Sequence, residues 1–150
     1  MYTKLNYDLN ELPEWITFLR KPLDLKSVGI GLIRFSAGRG HTCLHAHEEQ
    51  EEIYIVISGK GTMEINGKNV QLETGDFLRI SPKVKRALKA SDSEEIIVIC
   101  VGGVGDAYPK NPETRALIDD GIPFYDEVPK WFKGNDKVRE INRKLKERNR

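Results

Sequence analysis

The chain is poor in cysteine and histidine, and it has no long apolar run. Its 150 residues include only two cysteines, Cys43 and Cys100, without a CxxC spacing. That excludes a small disulfide-built scaffold. No apolar run approaches the roughly 20 residues a membrane span needs. The first stretch, "MYTKLNYDLNELPEWITFLRKPLDL", lacks an unbroken apolar centre and a small-residue cleavage site, so no signal peptide is expected. Charge of one sign is also missing: the formal net charge is +1, and no global field points to nucleic acid or membrane. Residues 102–105, "GGVG", are followed by no P-loop Lys-Ser/Thr and lack the Rossmann spacing. No nucleophile elbow, internal repeat or low-complexity segment stands out. What is left, 31% charged and 39% hydrophobic residues, suits a soluble globular protein large enough to bury a core. The cytoplasm is the expected location.

The middle of the chain, about residues 27–101, reads as short strands separated by turn signals. "SVGIGLIRFSAG" and "HTCLHAH" are strand candidates, and "EIYIVISG" is β-branched and aromatic. Gly59-Lys60-Gly61 is read as a turn into "TMEI". Asn66-Gly67 is the best hairpin signal, leading into "KNVQL". The turn "ETGD" then precedes "FLRIS", which Pro82 ends, and "RALKA" and "EEIIVICV" close the series. Strands this short and regularly spaced predict an antiparallel sandwich or barrel.

The two ends differ from this pattern. "LPEWITFL" reads as a short helix or an irregular clasp. Residues 102–135 carry four of the seven prolines and read as an ordered wrap, with one helical turn at "PETRALIDD". Residues 136–150 read as helix: Val138, Ile141 and Leu145 form a thin apolar stripe, and Asn135 or Asp136 can cap it. Seven Lys/Arg against two Glu in residues 137–150 give a local charge of +5, leaving −4 on the rest. A solvated helix with cations toward its C-terminus accounts for this better than a nucleic-acid partner does.

All three histidines fall in "HTCLHAHEEQEE", residues 41–52, beside four glutamates. At a strand period of two, His41, Cys43, His45 and His47 share a face, and all are ligands for soft or borderline metals. Imidazoles at i and i+2 can reach one ion, with a nearby carboxylate as third ligand. Periodicity alone would turn the face of Ile53, Ile55 and Ile57 inward and select Glu51.

"HAHEEQEEIYIVISG" resembles the first motif of the cupin superfamily: two histidines one residue apart, then a glutamate, then a glycine six residues on. The matching residues are His45, His47, Glu52 and Gly59. The motif's opening glycine is displaced by one, since Gly40 lies four and Gly38 six residues before His45. "ETGDFLRISP" resembles the approach to the second motif, with Gly75-Asp76 and Pro82 in place. The resemblance covers about half of the chain. It implies an all-β fold, an antiparallel double-stranded β-helix or jelly-roll barrel. The whole chain, 1–150, would be one such domain, with its core at about 27–101 and a C-terminal extension from 102. It also implies Glu52 rather than Glu51, with Tyr54 lining the cavity as a hydrogen-bonding or acid group. The isoleucines then face outward and need cover from the chain's own ends or from a second copy, as in a homodimer.

The second motif departs from the family. Aligned on Gly75 and Pro82, its usual glycine is Lys83, and its metal-binding histidine is Arg86. Arginine stays protonated and is no ordinary ligand. The implied metal set is therefore His45, His47 and Glu52, a two-histidine, one-carboxylate set with open positions for iron(II), manganese, nickel, cobalt or zinc. His41 is a less favoured fourth ligand, about 13 Å of strand from His45. Three roles stand open for Arg86: a catalytic clamp on a substrate carboxylate or phosphate, a salt bridge to Glu52 in a metal-free barrel, or a solvent-facing residue. The resemblance implies a metalloenzyme acting on a small anionic or sugar-like metabolite, by dioxygenase, decarboxylase, isomerase or lyase chemistry. The competing reading is a non-catalytic barrel that binds or senses a metabolite. Neither reading needs a membrane.

Overall fold

The structure, a computed structural model, describes residues 2–105 and 124–148. They fall in two compact units, Met1–Gly105 and Asp106–Arg150. The first holds seven strands: β1 (Trp15–Phe18), β2 (Gly29–Phe35), β3 (Gln50–Ile65), β4 (Lys68–Glu73), β5 (Phe77–Ile80), β6 (Arg86–Ala90) and β7 (Ile96–Val104). All pairings between them are antiparallel.

β3 organises the barrel. Its first part, from Gln50, lies between β7 and β5 in the layer that continues through β2 to β1. Its second part, Lys60–Ile65, lies between β4 and β6 in the other layer. The expected turn at Gly59-Lys60-Gly61 is thus a bend in one 16-residue strand, not a reversal. The register shifts between Val56 and Ser58, and Gly59 sits at φ 84°. A Cβ on Gly59 would lie 1.8 Å from the Glu95 carbonyl oxygen, so only glycine lets the strand cross there. The hairpin at Asn66-Gly67 is as expected: both residues have positive φ, the signature of a type I′ turn.

Alternation at period two separates core from cover. Tyr54, Val56, Leu88, Ala90, Ile96, Val98 and Cys100 join Ile33, Phe35, Met63, Leu72 and Ile80 in the core between the layers. Ile97 faces the other way and packs with Leu12, Leu19 and Leu32, with Ile57 and Ile99 against them. The N-terminal segment therefore covers part of the outward isoleucine face. It does so as a strand, not the helix or clasp expected of "LPEWITFL". After a 3-10 turn at Leu9–Glu11, the β-branched and aromatic "WITF" adds to the free edge of β2. β7 runs to Val104, past the residue 101 at which the barrel reading stopped.

The second unit contains a 3-10 turn at Lys130–Phe132 and helix α1 (Asp136–Arg148). Asn135 caps α1, its Oδ1 accepting from the backbone N–H of Lys137 at 3.1 Å and of Val138 at 3.3 Å. Many of the helix's cations are paired within the unit: Arg143 with Glu140 and Glu147, Lys144 with Glu140, Lys146 with Asp126. The turn expected at "PETRALIDD" lies outside the described residues. Among the described residues no helix is long and apolar enough to cross a membrane.

Candidate metal centre

The histidine stretch is a loop, not the strand read from its spacing; only two isolated bridges mark it, Gly40–Lys89 and His45–Arg86. It is nevertheless stitched to β6 and the turn before it. The His41 N–H donates to Leu88 O, His45 and Arg86 exchange both backbone hydrogen bonds, and the Lys83 N–H donates to His47 O. Three residues lie between His41 and His45, against one between Arg86 and Leu88. Thr42, Cys43 and Leu44 therefore bulge outward and are exposed. This is why Cys43 does not share the histidines' environment, while His41, His45 and His47 all remain half-buried.

The turn that holds His47 carries a strained residue. Lys83, where the family motif has glycine, sits at φ 64° in the left-handed region. Its N–H lies 2.7 Å from the His47 carbonyl oxygen. The backbone has kept the glycine conformation without the glycine.

Glu52 comes from the inward face of β3 and is 8% exposed. Glu51 points the other way, to Arg79 at 2.6 Å on the surface. The carboxylate of Glu52 has two distinct sides. Oε2 accepts from the Tyr54 hydroxyl at 2.6 Å and from the Arg86 guanidinium. Oε1 lies 3.0 Å from His47 Nε2 and accepts from Gln50 Nε2 at 3.1 Å. Burial would raise the Glu52 carboxyl. Hydrogen bonds from Tyr54 and Arg86, with the charges of Arg86 and His47, outweigh it and hold the group at about 2. Burial, reinforced by the Glu52 charge, pushes the Tyr54 phenol well up, so it stays a donor.

Arg86 is 0% exposed, which rules out a solvent-facing arginine. Its bridge to His45 places both side chains on one face. Nη1 donates to the Val84 carbonyl at 3.1 Å, Nη2 donates to Glu52, and Nε is buried with no hydrogen-bond partner among the described residues. Burial works against its proton, but the bond to Glu52 wins and keeps it charged. The salt bridge to Glu52 that was one of three open roles is therefore present.

The three residues of the implied metal set lie together: one ligand atom from each of His45, His47 and Glu52 falls within 4.8 Å of the others. Metal–ligand bonds of about 2.0–2.2 Å hold donors no more than about 4.4 Å apart. A small closure by the half-exposed histidines meets that requirement. Burial, then the nearby Arg86 charge, lowers the His45 pKa and favours the neutral ring that a metal requires. His41 stands apart from this group. Its Nδ1 accepts from the Leu88 N–H at 3.1 Å, and burial lowers its pKa too. It packs edge-to-face on His45, with ring centroids 5.2 Å apart. The chemistry of the donor set fits a borderline divalent ion.

Gln50 and Gly102 escaped the sequence reading. Gln50 sits two residues before Glu52, so the same alternation turns it inward. Gly102 lies opposite Glu52 on β7, and a Cβ there would come 2.3 Å from Gln50 Nε2. The first three residues of "GGVG" thus belong to β7, and Gly102 leaves room for the Gln50 amide.

Comparison with known proteins agrees with this fold. A family model described as a cupin domain matches residues 31–102. The chain is similar in structure to a cupin protein from Bacteroides fragilis, with 29% identity, 81% of this chain and 96% of that chain covered, and a TM-score of 0.70. It is also similar to a proposed sugar phosphate isomerase from Acidithiobacillus ferrooxidans, with 27% identity, 61% and 59% covered, and a TM-score of 0.53. A curated protein of Methanocaldococcus jannaschii, named only as uncharacterized, is 29% identical over 59 residues, 39% of this chain. The match spans about half (47%) of that relative's length.

Proposed function

The chain is a small cupin-domain protein with a double-stranded β-helix fold, and from that premise we propose that His45, His47 and Glu52 hold one divalent transition-metal ion. The observation that carries this is the convergence of the three donors, with Glu52 presenting one oxygen to the histidines while its other is tied to Arg86 and Tyr54. Iron(II), manganese, nickel, cobalt and zinc all suit such a set. When bound, the ion supplies Lewis acidity and open positions for an oxygen ligand. We read the protein as a metalloenzyme for a small anionic or sugar-like metabolite. The similarity to the proposed sugar phosphate isomerase supports that class without fixing the reaction.

In this reading Tyr54 and Arg86 act through Glu52. Tyr54 keeps its proton and orients Oε2. Arg86 has two nitrogens engaged and no exposed surface, so its charge reaches a ligand but a two-pronged clamp does not. One observation favours the metal-free alternative, a barrel that binds a metabolite without chemistry: Glu52 already has four polar partners of its own.

Metal analysis of protein purified without a metal-affinity tag decides between the two. The metalloprotein reading expects about one ion per chain, lost in His45→Ala and His47→Ala. Absence of metal from the wild type, with no uptake on dialysis against iron(II), manganese or zinc, would end it. The expected homodimer is also a proposal. The half-buried Ile53 and Ile55, beside a Phe77 that is 69% exposed, offer an apolar outer face for it. A monomeric mass by light scattering would count against it.

A further inference from the structure

Arg86 changes the charge of the site as well as its ligand count. The negative charge of Glu52 is matched by a guanidinium that is completely buried. A histidine ligates a metal only as the neutral ring, so with an ion bound Glu52, Arg86 and the two imidazoles sum to zero. A divalent ion among them leaves about two positive charges uncompensated in a partly buried place, where Coulomb energies exceed those in water. A neutral histidine at position 86 would have left the set at −1 and added a donor. This chain has one ligand fewer and one positive charge more. Both features favour an incoming anion.

Resting on the metal reading above, we propose that the site takes its divalent ion and a small chelating oxyanion together, each raising the affinity of the other, with Arg86 as the positioning residue that sets this coupling. The ligand class is a molecule with two oxygen donors on neighbouring carbons or carboxyl groups, able to fill adjacent open positions and return the missing negative charge. The coupling is reciprocal by thermodynamic necessity. Arg86 acts by holding Oε2 of Glu52, which leaves Oε1 as the oxygen facing the histidines, and by its fixed charge.

The test is a titration with Mn2+, reading free ion by electron paramagnetic resonance, with and without malonate and corrected for Mn2+–malonate complexes in solution. Wild type is expected to bind Mn2+ at least about five-fold tighter with malonate. Arg86→Lys, which keeps the charge, is expected to retain the coupling. Arg86→His is expected to bind Mn2+ more tightly alone and to lose most of the coupling. Circular dichroism checks that each variant is folded. If wild type binds Mn2+ equally well with and without malonate, or if Arg86→His is coupled as strongly as wild type, this inference is wrong and the metal reading stands. If wild type takes up iron(II) or zinc on dialysis but binds no Mn2+ under either condition, this inference is wrong and the metal reading stands; if it takes up none of the three, the metal reading falls and this inference with it.

Discussion

The pair Arg86–Glu52 allows a quantitative prediction that does not depend on any metal. Its side chains are 0% and 9% exposed. Exposed ion pairs contribute roughly 0–1 kcal/mol, because water screens both partners. Breaking a buried pair from one side costs about 3–5 kcal/mol, because the survivor keeps its charge and loses its compensation. The two survivors are not equally placed here. After Arg86→Leu, Glu52 still has the Tyr54 hydroxyl, the Gln50 amide and the His47 ring. That places the loss near about 3 kcal/mol, the lower end of the range. After Glu52→Leu, Arg86 keeps only the Val84 carbonyl among the described residues, where its Nε already lacks a partner. The loss should approach about 5 kcal/mol.

The double substitution Glu52→Leu/Arg86→Leu removes both charges. Apolar replacements of a buried pair are often neutral, so it should recover to within about 1–2 kcal/mol of wild type. Urea unfolding followed by circular dichroism, with EDTA throughout, measures all four corners of the cycle. Two results would refute the reasoning. Single-substitution losses below about 1 kcal/mol would mean the pair is solvated like a surface bridge. A double variant as unstable as the two single losses added together would mean the loss is one of packing and not of stranded charge.

Other elements give sharper local tests. Gly59→Ala should cost on the order of 3 kcal/mol or abolish soluble expression, since its Cβ would overlap the Glu95 carbonyl at 1.8 Å; a near-neutral melt would show that the strand crossing can relax. Lys83→Gly should gain about 0.5–1 kcal/mol in the same assay by relieving the φ of 64°, and a loss would show that the lysine side chain is needed. Of the two free cysteines, exposed Cys43 should alkylate quickly. Cys100, whose thiol burial pushes up to about 12, should react only on unfolding, and two fast thiols at pH 8 would contradict its placement. Glu14 bonds the Ser36 hydroxyl at 2.7 Å and its N–H at 3.0 Å, and that hydroxyl bond most of all lowers its carboxyl below 4.5. A lowered carboxyl stabilises above its ordinary value and stops doing so as pH falls through the folded value. Glu14→Ala should therefore cost about 1 kcal/mol at pH 7 and much less at pH 3; an unchanged difference would remove the carboxylate from the account.

Much of the barrel was legible because its two layers impose a period of two on the residues between them. Ile96, Val98 and Cys100 face in and Ile97 and Ile99 face out, as a strand with one core face requires. The same period misled at the histidines. It assumes a regular strand from 41 to 47, whereas the partner segment is shorter there and the surplus residues 42–44 are extruded. No local pattern records the length of a partner segment 40 residues away. Reading Gly59-Lys60-Gly61 as a reversal failed similarly. Glycine marked a close approach between β3 and the start of β7, and only the pairing distinguishes that from a turn. The inward turn of Glu52 was legible only through the spacing to Gly59, since hydrophobicity alone favours the isoleucine face.

The two departures from the family pattern, Lys83 and Arg86, lie three residues apart, and their surroundings show what kind of departures they are. Had the site simply decayed, the turn would be free to relax and a buried arginine would be free to leave. Instead Lys83 keeps a conformation that costs about 1 kcal/mol or more, and its N–H still holds the His47 carbonyl at 2.7 Å. Arg86 keeps the backbone pairing with His45 and answers the charge of Glu52. Each position therefore keeps a contact with a member of the proposed metal set. Against the pattern it resembles, the site has one histidine fewer and one fixed positive charge more. Among the described residues that exchange is the main chemical difference between this site and the pattern it resembles, so substitutions at position 86 should discriminate most strongly among readings of its function.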